Sequence, residues 1–180
     1  MIRTIFFDFG NVVGFFDHDR AIRELARFTD MSPTELGLQL YGGPLEDDYE
    51  CGKLTTEEYV REALLNGRLR CTPERFLSLY DKIFWHNPEV CELIPKLKPR
   101  YRLVLASNTN EAHFYRYTQD FAAVLKNFEH LVASYHTGSR KPHVEFFDMA
   151  IGQSQAHLVR RIFDQHISRN GEPKRAGLFD

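Results

Sequence analysis

The sequence predicts an α/β protein in which a doubly wound parallel sheet carries a small inserted helical cap. Short β-branched and aromatic runs alternate with stretches of helical spacing, an order typical of a parallel sheet with helices on both faces. A long block after the first run has helix signals only, and polar residues follow the ends of several runs. The alternation predicts the core, the block predicts an insertion, and the polar residues predict a site shared by the strands.

Four short apolar runs are predicted as the strands of the core. They cover residues 4–7, 101–106, 131–134 and 158–163. Each run is rich in β-branched, aromatic or aliphatic residues and is bounded by polar or turn-forming residues, as expected for buried strands. Between the runs, helical patterns cover residues 90–97, 113–126 and 142–152. Strands that alternate with helices in this way favour a parallel sheet.

The block of residues 17–85 is predicted to be entirely helical. Ser32, Thr55 and Thr72 stand where helix N-caps are expected, each followed by Pro or by acidic residues within the first turn. The triplet Asp17-His18-Asp19 resembles a group of metal ligands, but its position also predicts the start of the first helix of the block. We prefer the helix start.

These patterns divide the chain into two predicted units. The α/β core comprises residues 1–14 and 87–180, and the helical cap comprises residues 15–86. A length of 180 residues suits one domain that carries one insertion. Hydrophobic residues make up 43% of the chain, which is enough for a buried core.

Composition excludes several classes of function. The net charge is −2, and the basic residues are scattered among acidic ones, so we expect no nucleic-acid partner. The N-terminal apolar run is interrupted by Asp8 and is too short for a signal peptide or a membrane span. Cys51, Cys71 and Cys91 are odd in number and widely spaced, which argues against a disulfide framework. We therefore expect a cytoplasmic protein without a membrane partner.

Polar side chains follow the predicted strands and form a candidate site. Asp8 follows the first strand, Ser107 and Asn108 follow the second, Lys141 comes shortly after the third, and Asp164 follows the fourth. The carboxyl ends of parallel strands meet at one edge of a sheet, where ligands bind. Residues far apart in the sequence are thus predicted to converge on one crevice.

Four segments, in order along the chain, resemble the motifs of the haloacid-dehalogenase (HAD) superfamily. They are Ile5-Phe6-Phe7-Asp8-Phe9-Gly10-Asn11-Val12-Val13, Leu105-Ala106-Ser107-Asn108-Thr109-Asn110, Ser134-Tyr135-His136-Thr137-Gly138-Ser139-Arg140-Lys141-Pro142 and Ile162-Phe163-Asp164-Gln165. Their detailed form is similar to the glucose-1-phosphate-phosphatase-like subgroup, which is akin to the phosphatase domain of soluble epoxide hydrolases. Residues 49–55 resemble a recurring cap segment of that subgroup. The resemblance covers nearly the whole chain.

The resemblance implies a role for each candidate residue. Asp8 would attack phosphorus and form an aspartyl-phosphate, and Lys141 would offset the repulsion between the two anions, which is about 4 kcal/mol for unit charges at ~4 Å and an effective dielectric near ~20. The hydroxyl of Ser107 and the backbone N–H of Asn108 would hold phosphate oxygens. A Mg²⁺ cofactor would be bound by the Asp8 carboxylate, the Gly10 carbonyl and a fourth-motif carboxylate, for which Asp164 is the candidate.

Two positions depart from the family pattern and leave alternatives open. Gly10 stands where most family phosphatases have a second Asp that acts as general acid and base, although the resembled subgroup shares this Gly. Gln165 falls where a metal-binding acid is usual, and the resembled family normally runs on through a final strand after the position of Asp180. A metal-independent haloacid dehalogenase, or a catalytically impaired protein that binds phosphate or a partner, would also fit these departures.

The expected function is Mg²⁺-dependent hydrolysis of a small phosphate monoester, with a sugar phosphate as one candidate. The partner is then a small phosphorylated metabolite, and the cap is expected to close over the crevice, exclude water and select the substrate. A homodimer is one of two alternatives for the aromatic cluster of Phe114, Tyr115 and Tyr117, which either packs within the molecule or contacts a second copy.

Overall fold

The fold is described from a computed structural model that covers residues 2–154 of the chain. In chain order the strands of this part are β1 (Thr4–Phe7), β2 (Gly14–Phe16), β3 (Phe84–His86), β4 (Arg102–Ser107) and β5 (His130–Ala133). The α-helices are α1 (His18–Leu25), α2 (Pro33–Leu40), α3 (Pro44–Glu50), α4 (Thr56–Asn66), α5 (Pro73–Tyr80), α6 (Pro88–Leu97), α7 (Glu111–Asp120), α8 (Ala122–Leu125), α9 (Ser134–Thr137) and α10 (Val144–Ser154). A 3₁₀ turn covers Ala26–Phe28.

Strands β1, β4 and β5 form a parallel sheet in the order β1-β4-β5. Val104 in the middle strand pairs with Phe6 of β1 and with His130 of β5. The three strands agree with the predicted runs 4–7, 101–106 and 131–134 to within one residue at each end. The fourth predicted strand, residues 158–163, lies outside the described residues.

Both faces of the sheet are covered, because successive side chains along each strand point to opposite sides. On one face, Phe7 and Leu105 pack in a cluster with Ile94 of α6. On the other face, Val104 packs with Phe146 of α10. The predicted doubly wound α/β architecture is therefore confirmed.

Helices α1–α5 form the inserted unit and have a hydrophobic core of their own. Its most deeply buried side chains are Leu25, Leu36, Leu40, Tyr49, Tyr59, Ala63, Phe76, Tyr80 and Ile83. The predicted N-caps are present, since the side chains of Ser32, Thr55 and Thr72 accept hydrogen bonds from backbone N–H groups in the first turns of α2, α4 and α5. Asp17 caps α1, so the triplet Asp17-His18-Asp19 is the start of a helix, as predicted. The exact boundaries of core and cap stay a prediction.

The prediction of an entirely helical block at 17–85 was wrong at its C-terminal end. Strands β2 and β3 form an antiparallel pair in which Phe15 faces Trp85 and Phe16 faces Phe84. This two-stranded flap lies where the chain leaves the core and where it returns. Three-residue strands carry no readable periodicity, and their pairing joins positions about 70 residues apart, so local signals could not predict them.

The helix predicted at 113–126 consists of two helices, α7 and α8. The first begins at Glu111 because the side chain of Asn110 accepts a hydrogen bond from the backbone N–H of His113. Of the aromatic cluster on α7, Tyr117 is buried in the core, whereas Tyr115 is 57% exposed. Packing within the molecule therefore accounts for Tyr117, and the homodimer stays a prediction.

Two further expectations concern the surroundings of the chain. Within residues 2–154 we find no helix that is both long and apolar enough to cross a bilayer. Cys51, Cys71 and Cys91 are free thiols, and burial raises the pKa of each above its usual value. These thiols are therefore mainly protonated at neutral pH, which makes them poor nucleophiles.

Candidate active site

Asp8 and Lys141 form an ion pair at the carboxyl edge of the sheet. The Nζ atom of Lys141 lies 2.6 Å from Oδ2 of Asp8 and donates a hydrogen bond of 3.0 Å to the carbonyl oxygen of Ala106. The other carboxylate oxygen of Asp8, Oδ1, accepts from the backbone N–H of Phe9 at 2.7 Å. The side chain of Asp8 is 17% exposed and that of Lys141 is 13% exposed. Residues 133 positions apart thus meet in a site that is shielded from water yet still reachable.

The side chain of Asn108 holds the backbone of Lys141 in place. Its Oδ1 accepts a hydrogen bond from the Lys141 N–H at 2.7 Å, and its Nδ2 donates to the Lys141 carbonyl oxygen at 3.0 Å. Two hydrogen bonds to one peptide fix the start of the lysine side chain relative to the end of β4. The sequence predicted a role for the backbone N–H of Asn108 and gave no sign of this contact.

A second pair of hydrogen bonds joins the same two loops. The Oγ atom of Ser134 accepts from the Thr109 N–H at 2.9 Å and donates to the Thr109 carbonyl oxygen at 3.0 Å. Ser107, predicted to hold phosphate, is almost fully buried at the end of β4, and its hydroxyl donates to the Asn108 carbonyl oxygen at 3.2 Å. The loops that carry the candidate residues therefore form one connected polar network.

A cavity of about 70 Å³ lies at this edge of the sheet, between the core and the cap. Three of the predicted residues line it, namely Gly10, Ser107 and Asn108. Its other lining residues are Phe9, Phe16, His18, Glu50, Ile83, Phe84, Thr109, His113 and Tyr117. Gly10 follows Asp8 by two positions and Asn108 holds Lys141, so the cavity adjoins the ion pair.

Two histidines of the cavity wall are held in the neutral form. Burial lowers the pKa of His113 to about 3, helped by the neighbouring His18, while its hydrogen bond to the Tyr80 backbone opposes the shift. Its Nδ1 lies 3.1 Å from Nδ2 of Asn110 and its Nε2 lies 3.3 Å from the carbonyl oxygen of Tyr80, an arrangement that places the proton on Nε2. Burial lowers the pKa of His18 to about 4, against the effect of Asp17 and Asp19. In the sequence, His18 was interpreted as part of a helix start, and nothing indicated His113 as part of the site.

Glu50, the last residue of α3, brings a carboxyl group from the cap to the cavity. Burial raises the pKa of this carboxyl to about 8, with further contributions from Glu46 and Asp8 and an opposing one from Lys141. The sequence marked residues 49–55 as a recurring cap segment, but no residue type or spacing singled out Glu50.

The cap contacts the core through polar side chains as well as through the cavity. Arg140 pairs with Asp47 and lies 3.2 Å from the Glu50 carboxylate. The hydroxyl of Tyr49 accepts from the N–H of Ala112 at 3.1 Å. Because Arg140 directly precedes Lys141, one loop of the core contacts both the cap and Asp8.

The donors available for a metal ion are hard oxygen atoms. The Asp8 carboxylate and the Gly10 carbonyl lie at the same strand end, and these are ligand types that Mg²⁺ prefers. Asp164, the third predicted ligand, lies outside the described residues, and within residues 2–154 no group of three or more His, Cys, Asp or Glu side chains could hold a metal. Since Mg²⁺ usually keeps several waters and few protein ligands, this donor set fits it.

Comparison with known proteins finds relatives in sequence as well as in structure. No family model matches the chain. D-ribitol-5-phosphate phosphatase of Bacteroides thetaiotaomicron is 27% identical over 180 residues, which cover 94% of this chain and 85% of that protein. A HAD family enzyme from the same organism, solved with magnesium and inorganic phosphate, superimposes with a TM-score of 0.73 at 20% identity, covering 86% of this chain and 80% of that one.

A structure of a different activity has a similar overall shape. L-2-haloacid dehalogenase from Xanthobacter autotrophicus, solved with chloropropionic acid covalently bound, gives a TM-score of 0.62 at 12% identity, covering 89% of this chain and 69% of that chain. At these identities the structural likenesses establish the shared fold.

Proposed function

We propose that this chain, which has the fold of the HAD-like hydrolases, hydrolyses a small phosphate monoester through a covalent intermediate on Asp8. The observation that carries the proposal is the 2.6 Å contact between the Lys141 ammonium and the Asp8 carboxylate at the edge of the parallel sheet. A nucleophilic carboxylate beside a cation, next to a cavity closed by a cap, is suited to attack on an anionic phosphorus centre.

Each residue of the site has a definite task in this reaction. One oxygen of Asp8 attacks phosphorus, while Phe9 N–H orients the carboxylate through the other oxygen. Lys141 reduces the repulsion between carboxylate and phosphate, which is about 4 kcal/mol for unit charges at ~4 Å and an effective dielectric near ~20. Ser107 and the Asn108 N–H hold oxygens that are not transferred. Asn108 also keeps Lys141 in position through its side chain.

Magnesium would be held by the Asp8 carboxylate and the Gly10 carbonyl, with Asp164 as the proposed third ligand. When bound, it would neutralise charge on the phosphate and orient it for displacement. The magnesium and phosphate in the related HAD family enzyme support this part of the proposal.

A sugar or polyol phosphate is the proposed substrate class. The D-ribitol-5-phosphate phosphatase that resembles the chain over nearly its whole length supports this choice. The neutral imidazole of His18 offers the cavity a hydrogen-bonding group without charge, as suits the hydroxyls of a polyol, whereas both ring nitrogens of His113 are hydrogen-bonded within the protein. The cap contacts of Arg140 and Tyr49 would exclude water once the substrate is bound.

A haloacid dehalogenase is the second candidate. Gly10 supplies no second acid, and a Cβ atom at this position would lie only 2.9 Å from Cε1 of Phe16. A site without that acid would suit a reaction in which no alcohol has to be protonated. The similarity in fold to the Xanthobacter dehalogenase keeps this candidate open.

The two candidates are separated by assaying purified protein on a panel of polyol and sugar phosphates and on 2-haloacids, each with Mg²⁺ and with EDTA. We expect phosphate release that needs Mg²⁺ and is abolished in Asp8→Asn. Halide release that is indifferent to EDTA would instead identify a dehalogenase. Phosphate binding without turnover under either condition would identify a protein that has lost catalysis.

A further inference from the structure

The site needs a proton donor that the strand bearing Asp8 does not provide. An alkoxide is a poor leaving group, so cleavage of an alkyl phosphate is greatly helped by a general acid. Gly10 has no side chain, and the edge of the Phe16 ring lies where a side chain at this position would begin. Any acid that serves this site must therefore come from another element.

Glu50 is the carboxyl group that the cap places in the cavity wall, together with Gly10, Ser107 and Asn108. Its side chain is 14% exposed. Its Oε2 atom is buried and accepts no hydrogen bond from the described residues. Arg140 Nη2 lies 3.2 Å from this oxygen but without hydrogen-bond geometry, and its guanidinium is hydrogen-bonded to Asp47. A buried carboxyl oxygen without a hydrogen bond is costly unless a ligand completes it.

We propose that Glu50 is the general acid and base of the reaction, supplied by the cap in place of the absent side chain at Gly10. This inference rests on the proposed phosphatase function. It assigns a catalytic task to a cap residue, so that catalysis requires the cap to be closed on the core.

Both half-reactions balance with Glu50 in this role. In the first, an Asp8 oxygen forms a bond to phosphorus, the bond from phosphorus to the substrate oxygen breaks, and that oxygen takes the proton of the Glu50 carboxyl and leaves as an alcohol. In the second, the Glu50 carboxylate accepts a proton from water as the water oxygen attacks phosphorus. The electron pair of the broken bond returns to Asp8, and inorganic phosphate and protonated Glu50 result.

The surroundings of Glu50, above all its burial, favour the protonated form that the first step requires. Burial raises the pKa of its carboxyl to about 8, and the negative charges of Glu46 and Asp8 act in the same direction. Lys141 acts in the opposite direction, as does the guanidinium of Arg140, which is shared with Asp47. At neutral pH the group therefore carries a proton that it can donate and later recover.

The test compares Glu50→Gln with Asp48→Asn on two substrates in first-turnover experiments with Mg²⁺. Asp48 lies on the same helix, pairs with the exposed Lys53 and does not line the cavity, so its variant is the matched control. For ribitol 5-phosphate, E50Q should slow alcohol release in the first turnover by about 10²–10⁴-fold. For 4-nitrophenyl phosphate, whose leaving group needs no acid, E50Q should keep a first-turnover burst within about tenfold of wild type, followed by slow turnover.

Several results would overturn the assignment. If E50Q lowers the first-turnover rate equally on both substrates, Glu50 has a structural or binding role and is not the general acid. If E50Q reacts at the wild-type rate with both substrates, Glu50 has no role in the reaction. If E50Q does not fold, Glu50→Asp keeps the acid, and its alkyl rate must fall relative to its aryl rate because the carboxyl is shorter. A wild-type protein that hydrolyses neither substrate would contradict the proposed function itself, whereas the D48N control should match wild type on both.

Discussion

Asn108 positions Lys141, the proposed catalytic lysine, through its side chain, which makes Asn108 a sensitive point of the proposed site. The two hydrogen bonds at 2.7 Å and 3.0 Å join the end of β4 to the peptide of Lys141. Their geometry fixes where the lysine begins, and the salt bridge to Asp8 fixes where it ends. At the scale of single residues, the position of the charged groups in the site depends on such contacts.

Asn108→Ala should lower kcat/KM by about 10–100-fold, because supporting contacts of this kind hold the reacting groups in place. It should also lower the free energy of unfolding by about 1–3 kcal/mol through the loss of two hydrogen bonds. Steady-state kinetics and urea denaturation measure the two effects. Asn127→Ala removes one side-chain hydrogen bond to the Val124 carbonyl oxygen away from the cavity, and it should affect stability only.

His113 makes the stability of the protein depend on pH in the acid range. The folded protein keeps this imidazole neutral to about pH 3, whereas the unfolded chain binds a proton below about pH 6.5. The unfolded state therefore gains protons first, and stability falls as the pH drops through this window. At pH 5 one such histidine accounts for about 2 kcal/mol.

Between pH 7.5 and pH 5, the free energy of unfolding should fall by about 2 kcal/mol less in His113→Gln than in wild type. The variant is less stable at every pH because it loses the stacking of the imidazole on Tyr80. Urea denaturation at the two pH values measures the difference. His136→Gln replaces an exposed histidine and should follow the wild-type profile, and a wild-type profile in H113Q would contradict the assignment.

At the scale of elements, the sequence predicted those features, such as helix caps, that depend on contacts between residues close together in the chain. Ser32, Thr55 and Thr72 are caps because their side chains reach N–H groups three residues away, which is visible in the sequence. The flap of β2 and β3 escaped prediction because it depends on pairing between distant segments. The sequence also did not predict the contact between Gly52 of the cap and the backbone of Tyr135 in α9.

Gly52, in the turn between α3 and α4, brings the cap against the core. Its φ angle is +66°, and a Cβ atom there would lie 2.1 Å from the backbone oxygen of Tyr135. Gly42 has a φ angle of +74°, but a Cβ atom there would have no atom within 4 Å. A substitution at Gly42 therefore measures backbone strain alone, whereas one at Gly52 adds a steric clash. Gly42→Ala should cost about 1 kcal/mol of unfolding free energy, and Gly52→Ala about 3 kcal/mol or more.

Chemical denaturation of the two variants measures these costs. G52A should also raise KM, because the segment that would be displaced precedes the loop of Arg140 and Lys141. Equal destabilisation by the two substitutions would show that the cap does not lie against Tyr135 in solution.

At the scale of the whole molecule, parallel topology assembles the site. Asp8, Ser107, Asn108 and Lys141 come from three places in the sequence, and the shared edge of a parallel sheet predicts their convergence. The contributions of the cap and of α7 could not be predicted in this way. Glu50, His18 and His113 reach the cavity through tertiary packing between helices, for which the sequence contains no fixed spacing. The predicted metal ligand Asp164 lies outside the described residues.

Covalent trapping on Asp8 tests the central claim most directly. Wild-type protein is mixed with substrate and Mg²⁺, quenched in acid within the first turnover, and digested for peptide mass spectrometry. The account predicts one added phosphoryl group on the peptide that contains Asp8, its absence in Asp8→Asn, and a marked reduction in Lys141→Met. Phosphate release without any modification of Asp8, or a phosphoryl group on another residue, would contradict it.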